Sequence, residues 1–314
     1  MRIGVVVDSG CDLPPKFIHE HGIGILPITI HLDGRDLVDL RDVDATLEFY
    51  RNHRTTAADA GTSPLSPERI KEFFLSRLVL DYDFVFCLTI ASSRSPIYEN
   101  AVKASFAILS EYKPVRAQAG IASPFSLRVV DTQNLFAGQA ITAVEAVRMI
   151  RDGVTNPNRI RERLDLLAQN TYGYMIPRDL HYLRVRAQKK GDRSVGWFGA
   201  MLGSALDIKP LIRGYRNETR PVAKLRHFED AAQALFGYAA ERAEKGLLTP
   251  TLALSYGGEL AEMRKLPGYA AMMNTCKRRG VEVFESIMSV TGGVNVGEGA
   301  LALALAAEEH ELVL

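Results

Sequence analysis

The chain has 314 residues, of which 47% are hydrophobic and 24% charged, and its 38 basic and 37 acidic side chains give a net charge of +1. A nearly neutral chain has no general attraction for nucleic acid or for an anionic membrane surface. Its length exceeds the roughly 250–300 residues at which a single core usually divides, so we expect two domains.

Targeting and compartment signals are few. The N-terminal segment MRIGVVVDSG has too short an apolar run for a signal peptide and lacks a small-residue cleavage site. The longest apolar stretch, GALALALAA, is far shorter than the ~20 residues that cross a bilayer. Cys11, Cys87 and Cys276 form no CxxC pair and cannot all be bridged, which is typical of a reducing compartment. We therefore expect a cytoplasmic protein without a transmembrane segment.

The first half of the chain alternates strand and helix patterns. Apolar runs predict strands in the segments RIGVVVD, GIGILPITIHLDG, FVFCLTI and LRVVDT. Helix patterns lie between and after them, one opened by Ser66-Pro67 and the last ending near Gly153. This order predicts an α/β domain over residues 1–153, built on a doubly wound, mainly parallel sheet.

The second half begins at RDGVTNPN, whose Gly, Asn and Pro residues indicate a domain boundary. A helix pattern, the strand-like TYGYMIP and further helices follow. The stretch IKPLIRGYRNETRPVAKLR predicts a hairpin that turns at Arg216-Asn217-Glu218. Two more helix–strand pairs lead to the glycine-rich SVTGGVNVGEGALALAL. These elements predict an α+β domain over residues 154–314 with a mixed or antiparallel sheet, and a ligand cleft between the two domains.

The segment VVVDSGCDLPP places Asp8, Ser9 and Cys11 just past the first strand, where open α/β sheets bind their ligands. A nucleophile is one interpretation, but the segment has neither a phosphate-binding loop nor an arginine that closes a loop after Cys11. The alternative is structural: Asp12 caps the helix that begins near Pro14, and Asp8 and Ser9 hydrogen-bond neighbouring loops, while a place on a pocket wall stays open for Ser9.

Two hydroxyl-rich segments precede predicted helices. Thr62 and Ser63 lie in AGTSPLSPE, and Ser92, Ser93 and Ser95 lie in TIASSRSPIYENA. Helix N-termini present unpaired N–H groups and the positive end of the helix dipole, so serines beside them suit a small anion such as a carboxylate or phosphate. Ordinary helix capping explains either segment alone better than anion binding does, and only the two segments together favour a shared anion site as much as capping.

Metal and phosphate signals are weak. His19 and His21 belong to no HExxH or CxxC pattern, so we expect no metal site. The basic segment VRAQKKGDR, residues 185–193, is typical of a solvated helix end, with phosphate binding as the alternative.

Taken together, these stretches resemble the DegV family. VVVDSGCDLP resembles the family's TDSTCDLP, GTSPLSP its TSQPS, and IASSRSPIYENA its ISSKLSGTYQSA. In the second half, DLHYLRVRAQKKGDRS is similar to L-YLkkGGRIs, LGSALDIKPLI to lGslLnIKPIl, VAKLR to the K-R strand, and NVGEGALALA to HTGPGALGLA. The similarities follow the family's order over nearly the whole chain.

The resemblance implies the two-domain EDD fold and a lipid-binding protein that is not a free-standing enzyme. Family members hold a long-chain fatty acid with the acyl chain in a tunnel, and no other cofactor is implied. Many present the carboxyl group to a dihydroxyacetone-kinase-like, ATP-binding partner. Carried onto this sequence, the carboxylate contacts are Thr62, Ser63, Ser92, Ser93, Ser95 and Asn295. Asp8 and Ser9 then form one wall of the pocket, and Cys11 is a packing residue.

This chain departs from the family's motifs at several positions. Asn295 replaces the family's histidine, Glu298 its proline, and Asp192 the second glycine of GGR. An asparagine can donate an amide hydrogen bond to a carboxylate but cannot become cationic. We therefore expect this chain to keep the family's ligand class, a fatty acid, more than the family's affinity for it. We also expect Asn295→His to tighten fatty-acid binding.

Basic residues in the matched motifs are candidate contacts to a kinase partner or to phosphate, namely Arg193, Lys209 and Arg226. Two other functions remain open. One is a small-molecule transferase or kinase-like enzyme acting on an anionic metabolite, although no P-loop, metal-ligand set or activated nucleophile supports it. The other is a regulatory protein that has lost its ligand.

Overall fold

A computed structural model describes residues 1–52, 60–189 and 207–314. Within them the strands are β1 (Ile3–Asp8), β2 (Gly24–Leu26), β3 (Ile28–Leu32), β4 (Arg35–Asp39), β5 (Gly61–Pro64), β6 (Phe84–Thr89), β7 (Ser126–Asp131), β8 (Thr171–Ile176), β9 (Ile208–Tyr215), β10 (Glu218–Arg226), β11 (Thr251–Tyr256), β12 (Glu282–Ile287) and β13 (Leu301–Ala306).

The helices of the described residues are α1 (Pro15–Glu20), α2 (Val43–Asn52), α3 (Pro67–Phe73), α4 (Val79–Asp81), α5 (Ile97–Ala107), α6 (Tyr112–Gln118), α7 (Ala137–Arg151), α8 (Pro157–Asn170), α9 (Leu180–Lys189), α10 (Phe228–Lys245), α11 (Leu260–Met263), α12 (Tyr269–Arg279) and α13 (Val290–Val296). A π-helical turn, Phe74–Leu78, joins α3 to α4, and a 3₁₀ turn, Ile108–Ser110, follows α5.

The first sheet has the strand order β2-β1-β6-β7, and all its pairs are parallel. Successive side chains of a strand point to opposite faces, and both faces of this sheet are covered. Val5 and Val7 pack with residues of α7, whereas Val6 and Cys87 pack with residues of α3 and α5. The doubly wound parallel sheet predicted for the first half is confirmed.

The second sheet has the order β10-β9-β8-β13-β11-β12. Strands β11 and β12 pair in parallel, and the other neighbours pair antiparallel, so the sheet is mixed, as predicted. The hairpin β9–β10 turns at Arg216 and Asn217, whose φ angles are +49° and +64°. Two central residues with positive φ match the right-handed twist of the strands, and Asn tolerates that conformation well.

A small third sheet, β4-β3-β5, was not predicted as a separate unit. The segment GIGILPITIHLDG divides at Pro27, because β2 belongs to the parallel sheet and β3 pairs antiparallel with β4 and β5. Asp33 and Gly34 make the turn that follows, as predicted, with positive φ at both. Ser66 caps α3 by accepting a hydrogen bond from the Arg69 N–H.

Helix α7 lies between the two larger sheets. It contacts β1 and β6 on one side and β8, β11 and β13 on the other, and its residues from Ala137 to Val147 are all buried. Val7 of the first sheet and Ala304 of the second therefore belong to one continuous core. The domain boundary at residue 153 remains a prediction, and the helix that ends just before it is shared by both halves.

Helix α13 brings the glycine-rich segment of the second half against the first half. It contacts β3, α2 and α9. The core at this junction contains Ile30, Tyr50, Ala60, Tyr182 and Val294. This packing places the segment around Asn295 next to the sheet that contains Thr62.

The described ranges contain neither a membrane-spanning helix nor a metal-holding cluster of side chains. No helix there combines the length and the apolar character that crossing a membrane requires. Among the same residues, no group of three or more His, Cys, Asp or Glu side chains is placed to hold a metal ion.

Candidate functional site

Asp8 ends β1 as a buried carboxylate that accepts three hydrogen bonds. Its Oδ1 accepts from the N–H of Gly10 at 2.9 Å, and its Oδ2 accepts from the N–H of Ile90 at 2.6 Å and from Nε2 of Gln139 at 3.1 Å. Burial raises the pKa of Asp8 to about 6, because removing a carboxylate from water disfavours its charged form. Asp8 thus ties the ends of two parallel strands to helix α7.

Ser9 links the first sheet domain to α13. Its Oγ accepts from the N–H of Ile28 at 3.0 Å and lies 3.4 Å from Oγ1 of Thr291. Thr291 in turn donates to Asp39 from both its N–H and its hydroxyl. Like Asp8, Ser9 is fully buried. Both residues therefore stabilise, from the interior, the packing around the end of β1. That they line a ligand pocket remains a prediction.

Cys11 and Asp12 are both buried, and their surroundings indicate structural roles. Burial raises the pKa of the Cys11 thiol well above its usual range, so this group is poorly suited to act as a nucleophile. The predicted capping of α1 by Asp12 is wrong: Pro14 precedes that helix and no side chain caps it. Asp12 instead accepts from the N–H of Ser289 at 2.9 Å and lies 3.4 Å from the buried Arg41 guanidinium, whose charge it balances.

Thr62 and Ser63 lie on strand β5, although the sequence pattern predicts a loop before a helix. Thr62 stands opposite Ile30 in the antiparallel pair, so its side chain shares the face of Ile30, which is buried toward α13. Ser63 points to the other face. Only Thr62 of the two therefore faces the junction that contains Asn295.

Ser63 belongs to a chain of hydrogen bonds on the outer face of the small sheet. Its Oγ lies 2.6 Å from Nε2 of His31, and Nδ1 of His31 lies 2.6 Å from Oδ1 of Asp36. The order Ser–His–Asp is that of an activated nucleophile. However, the side chains of His31 and Asp36 are 47% and 67% exposed, so solvent screens the pair.

The serine-rich loop after β6 binds the hairpin turn of the second sheet. The Ser92 hydroxyl donates to Oδ2 of Asp131 at 2.6 Å, and the Ser93 hydroxyl donates to the backbone oxygen of Asn217 at 2.5 Å. The amide of Asn217 also donates to Oδ2 of Asp131, at 2.8 Å. These bonds join the two larger sheets, a role that the sequence pattern did not indicate.

Ser95 comes close to its predicted capping position. Helix α5 begins at Ile97, one residue later than the Ser-Pro pattern predicts, and the Ser95 Oγ accepts from the Ile97 N–H at 3.3 Å. One turn into α5, the Asn100 amide donates to the backbone oxygen of Leu65 at 2.9 Å. This bond connects the serine-rich helix to the segment just after β5.

Asn295 lies on α13 and binds groups on both sides. Its Nδ2 donates to the backbone oxygen of Thr291 at 2.7 Å, and its Oδ1 accepts from Arg186 at 3.3 Å. Arg186, on α9, also donates to the backbone oxygen of Ala60, just before Thr62 in the chain. Thr62 and Asn295 thus lie on segments that a single buried guanidinium connects.

Arg186 is a buried residue that the sequence motifs do not single out. The pattern of residues 185–193 is typical of a solvated helix end, yet Arg186 is only 4% exposed. A local signal was available in the i, i+4 spacing of Tyr182 and Arg186, which places both on one face of α9. The Tyr182 hydroxyl donates to the backbone oxygen of Val294 at 2.9 Å from that face.

The predicted basic contacts lie elsewhere. Lys209 forms an ion pair with Asp207 at 2.8 Å and donates to the backbone oxygen of Arg178. Arg226 is exposed at the end of β10, at the opposite end of the hairpin from Asn217. At about 3.3 Å per residue, the hairpin separates these cations from the serine-rich loop by roughly 25 Å. Arg193 lies outside the described residues.

Comparison with known proteins connects this geometry to a family. A sequence profile described as "Uncharacterised protein, DegV family" matches residues 2–308. A DegV domain-containing protein of Xanthomonas campestris pv. campestris is 58% identical over 311 residues, covering 99% of each chain. A Thermotoga maritima protein named fatty acid-binding protein is 26% identical over 315 residues, covering 99% of this chain and all of its own.

A solved structure supports the same fold. The fatty acid kinase B3 protein of Streptococcus pneumoniae, loaded with linoleic acid, matches with a TM-score of 0.74 over 98% of this chain and 100% of its own. The two sequences are 14% identical, so this likeness concerns the fold. The predicted two-domain α/β architecture and the predicted resemblance are both confirmed.

Proposed function

The chain belongs to the DegV family, and from that membership we propose that it binds a long-chain fatty acid and catalyses no reaction on its own. The carboxylate is held where β5 meets α13, and the acyl chain lies in an apolar tunnel. Burying about 14 methylenes at ~0.8 kcal/mol each gives roughly 11 kcal/mol before the costs of association. Few polar contacts are then needed.

The observation that carries the proposal is the family match across residues 2–308. The contacts around Arg186 support it as well, because they bring the strand of Thr62 to the helix of Asn295, two positions that the family's motifs indicate. Cys11 supports a binding role as well, since a buried thiol with a raised pKa offers no activated nucleophile. No cofactor other than the bound fatty acid is part of the proposal.

The partner that we propose is an ATP-binding kinase subunit related to dihydroxyacetone kinase, to which this protein presents the fatty-acid carboxyl group. The Streptococcus pneumoniae neighbour, itself named a fatty acid kinase protein, supports this assignment. Arg226 is the exposed candidate among the described basic contacts, because Lys209 is paired with Asp207. The three cysteines are buried and free, in keeping with a reducing cytoplasm as the place of action.

Isothermal titration of lipid-stripped protein with palmitate tests the proposal. We expect one site per chain with micromolar or tighter affinity. The double variant Thr62→Ala with Ser92→Ala should bind more weakly while keeping a cooperative thermal transition. A folded wild-type protein that binds no palmitate would overturn the proposed function.

A further inference from the structure

Exposed apolar side chains concentrate in one short segment of the first half. Of the ten large apolar side chains that are exposed among the described residues, four lie within seven consecutive positions, namely Leu37, Val38, Leu40 and Val43. Leu40, which directly follows strand β4, is 61% exposed. Single exposed apolar residues are normal on a protein surface, but a contiguous group of them marks an interaction surface. These four residues form the Leu40 patch.

The backbone on both sides of Leu40 is held firmly. Asp39 accepts hydrogen bonds from the N–H and the hydroxyl of Thr291, at 2.8 and 2.7 Å. On the other side, the buried guanidinium of Arg41 donates to the backbone oxygen of Ile287 at 3.0 Å. A contact residue whose backbone is already ordered loses less conformational entropy on binding. Leu40 is therefore suited to anchor a partner.

A cavity of about 730 Å³ adjoins the patch. Leu40 and Val43 belong to its wall, together with Ile18, Ile25 and Phe73. An exposed apolar anchor and an apolar cavity thus lie side by side on one surface. Such a surface is complementary to itself, because the anchor of each copy of the chain can enter the cavity of the other across a two-fold axis.

Exposed charges of both signs surround the patch. Arg35 and Arg77 form no ion pair with another described residue, and neither do Asp42, Asp44 and Asp81. Arg77, Asp42 and Asp81 line the cavity itself. A surface of one sign would repel its own copy, whereas cations and acids on the same surface can pair across a two-fold axis. The charges therefore favour a second copy of this chain over a strongly basic or strongly acidic partner.

We propose that the Leu40 patch and the adjoining cavity form the interface of a symmetric homodimer, in which Leu40 of each copy enters the cavity of the other. Every contact of such an interface is made twice. Apolar anchors that fill pockets near the centre of an interface supply most of its binding energy, and the exposed charges form its rim. This inference does not depend on the proposed function.

Sedimentation velocity of the purified protein between about 1 and 200 µM tests the proposal, and we expect a dimer with a micromolar dissociation constant. Leu40→Asp places a carboxylate against an apolar cavity, twice in each dimer. It should raise the dissociation constant at least about 100-fold. Leu109→Asp is the matched control and should leave the dimer unchanged, because Leu109 is 56% exposed but lies in the 3₁₀ turn after α5.

His19→Trp separates entry into the cavity from simple apolar contact. His19 is an exposed residue of the cavity wall, so tryptophan there narrows the cavity while it adds apolar surface. We expect this variant to raise the dissociation constant by about tenfold. Thermal unfolding of each variant gives its folded fraction.

Wild-type protein that remains monomeric at about 200 µM would overturn the proposal. A Leu40→Asp dimer as strong as the wild-type dimer, or equal weakening by Leu109→Asp, would overturn it too. A His19→Trp dimer as strong as the wild type would show that Leu40 does not enter the cavity, with the same consequence. If Leu40→Asp does not fold, Val38→Asp takes its place with the same expectation. None of these outcomes bears on fatty-acid binding.

Discussion

The Oγ atom of Ser63 lies 2.6 Å from Nε2 of His31, on the face of strand β5 that Thr62 does not share. Neighbouring residues of a strand point in opposite directions. Two adjacent hydroxyls that appear equivalent in the sequence therefore have separate surroundings, one toward α13 and one toward solvent.

Single substitutions of these two hydroxyls should have unequal effects. We expect Thr62→Ala to weaken palmitate binding by about fivefold, because it removes one neutral hydrogen bond worth about 1 kcal/mol. Ser63→Ala should leave the affinity unchanged, and it serves as the matched control. Isothermal titration of both folded variants measures this difference. Equal weakening by the two substitutions would mean that strand β5 does not direct Thr62 alone to the ligand.

The chain of Ser63, His31 and Asp36 should not make the protein a hydrolase. A catalytic aspartate is normally buried and holds the histidine firmly, whereas Asp36 is largely exposed. We expect no hydrolysis of p-nitrophenyl esters by the purified protein above the rate in buffer. Hydrolysis that copurifies with the wild-type protein and is absent from Ser63→Ala would contradict this expectation.

Asp8 should make stability depend on pH in a defined window. The pKa of Asp8 is about 6 in the folded protein, whereas the ordinary pKa of an aspartate is 3.8. Because the folded state binds this proton more tightly, the contribution of Asp8 is greatest below about pH 4 and is lost as pH rises through 6. The difference between the two pKa values corresponds to about 3 kcal/mol of unfolding free energy.

Denaturant unfolding of wild type and Asp8→Asn between pH 4 and 7 measures this contribution. An asparagine does not titrate, so the unfolding free energy of the wild type minus that of the variant should fall by about 2.4 kcal/mol over this range, most of the full difference. A difference that stays constant with pH would show that Asp8 keeps its ordinary pKa when folded.

The hairpin turn at Asn217 should be sensitive to both backbone and side-chain changes. Asn217→Ala removes the bond to Asp131 and places a Cβ-bearing residue without a polar side chain at φ of +64°. Asn217→Gly loses the same bond but adopts that φ freely. In urea unfolding, we expect the alanine variant to be the less stable of the two by about 1 kcal/mol. If the alanine variant proved as stable as the glycine variant, the turn assigned to Asn217 would be contradicted.

Sequence periodicity predicted most of the fold, because strands such as β1 and β6 are continuous apolar runs and the parallel order follows from the alternation of strands with helices. It did not predict that the chain changes sheets at Pro27. That change depends on β3 pairing with β5, more than 30 residues away, which no local pattern records.

The contacts around the candidate site could not be predicted from the sequence. Motif resemblance pointed to Thr62, Ser92 and Asn295, but their partners come from distant segments. Asp12 shows the same limit. Its place before a helix predicts that it caps that helix, but its carboxylate instead accepts a hydrogen bond from the distant backbone N–H of Ser289. Arg186 was missed because a basic helix end has the same sequence pattern whether it is buried or exposed.

Native mass spectrometry of protein purified from cells, followed by denaturation and lipid extraction, tests the central claim most directly. The proposed function predicts a folded mass that exceeds the polypeptide by one fatty acid, which denaturation releases and lipid extraction recovers. A folded mass equal to that of the polypeptide alone, or release of a nucleotide or metal ion instead, would contradict it.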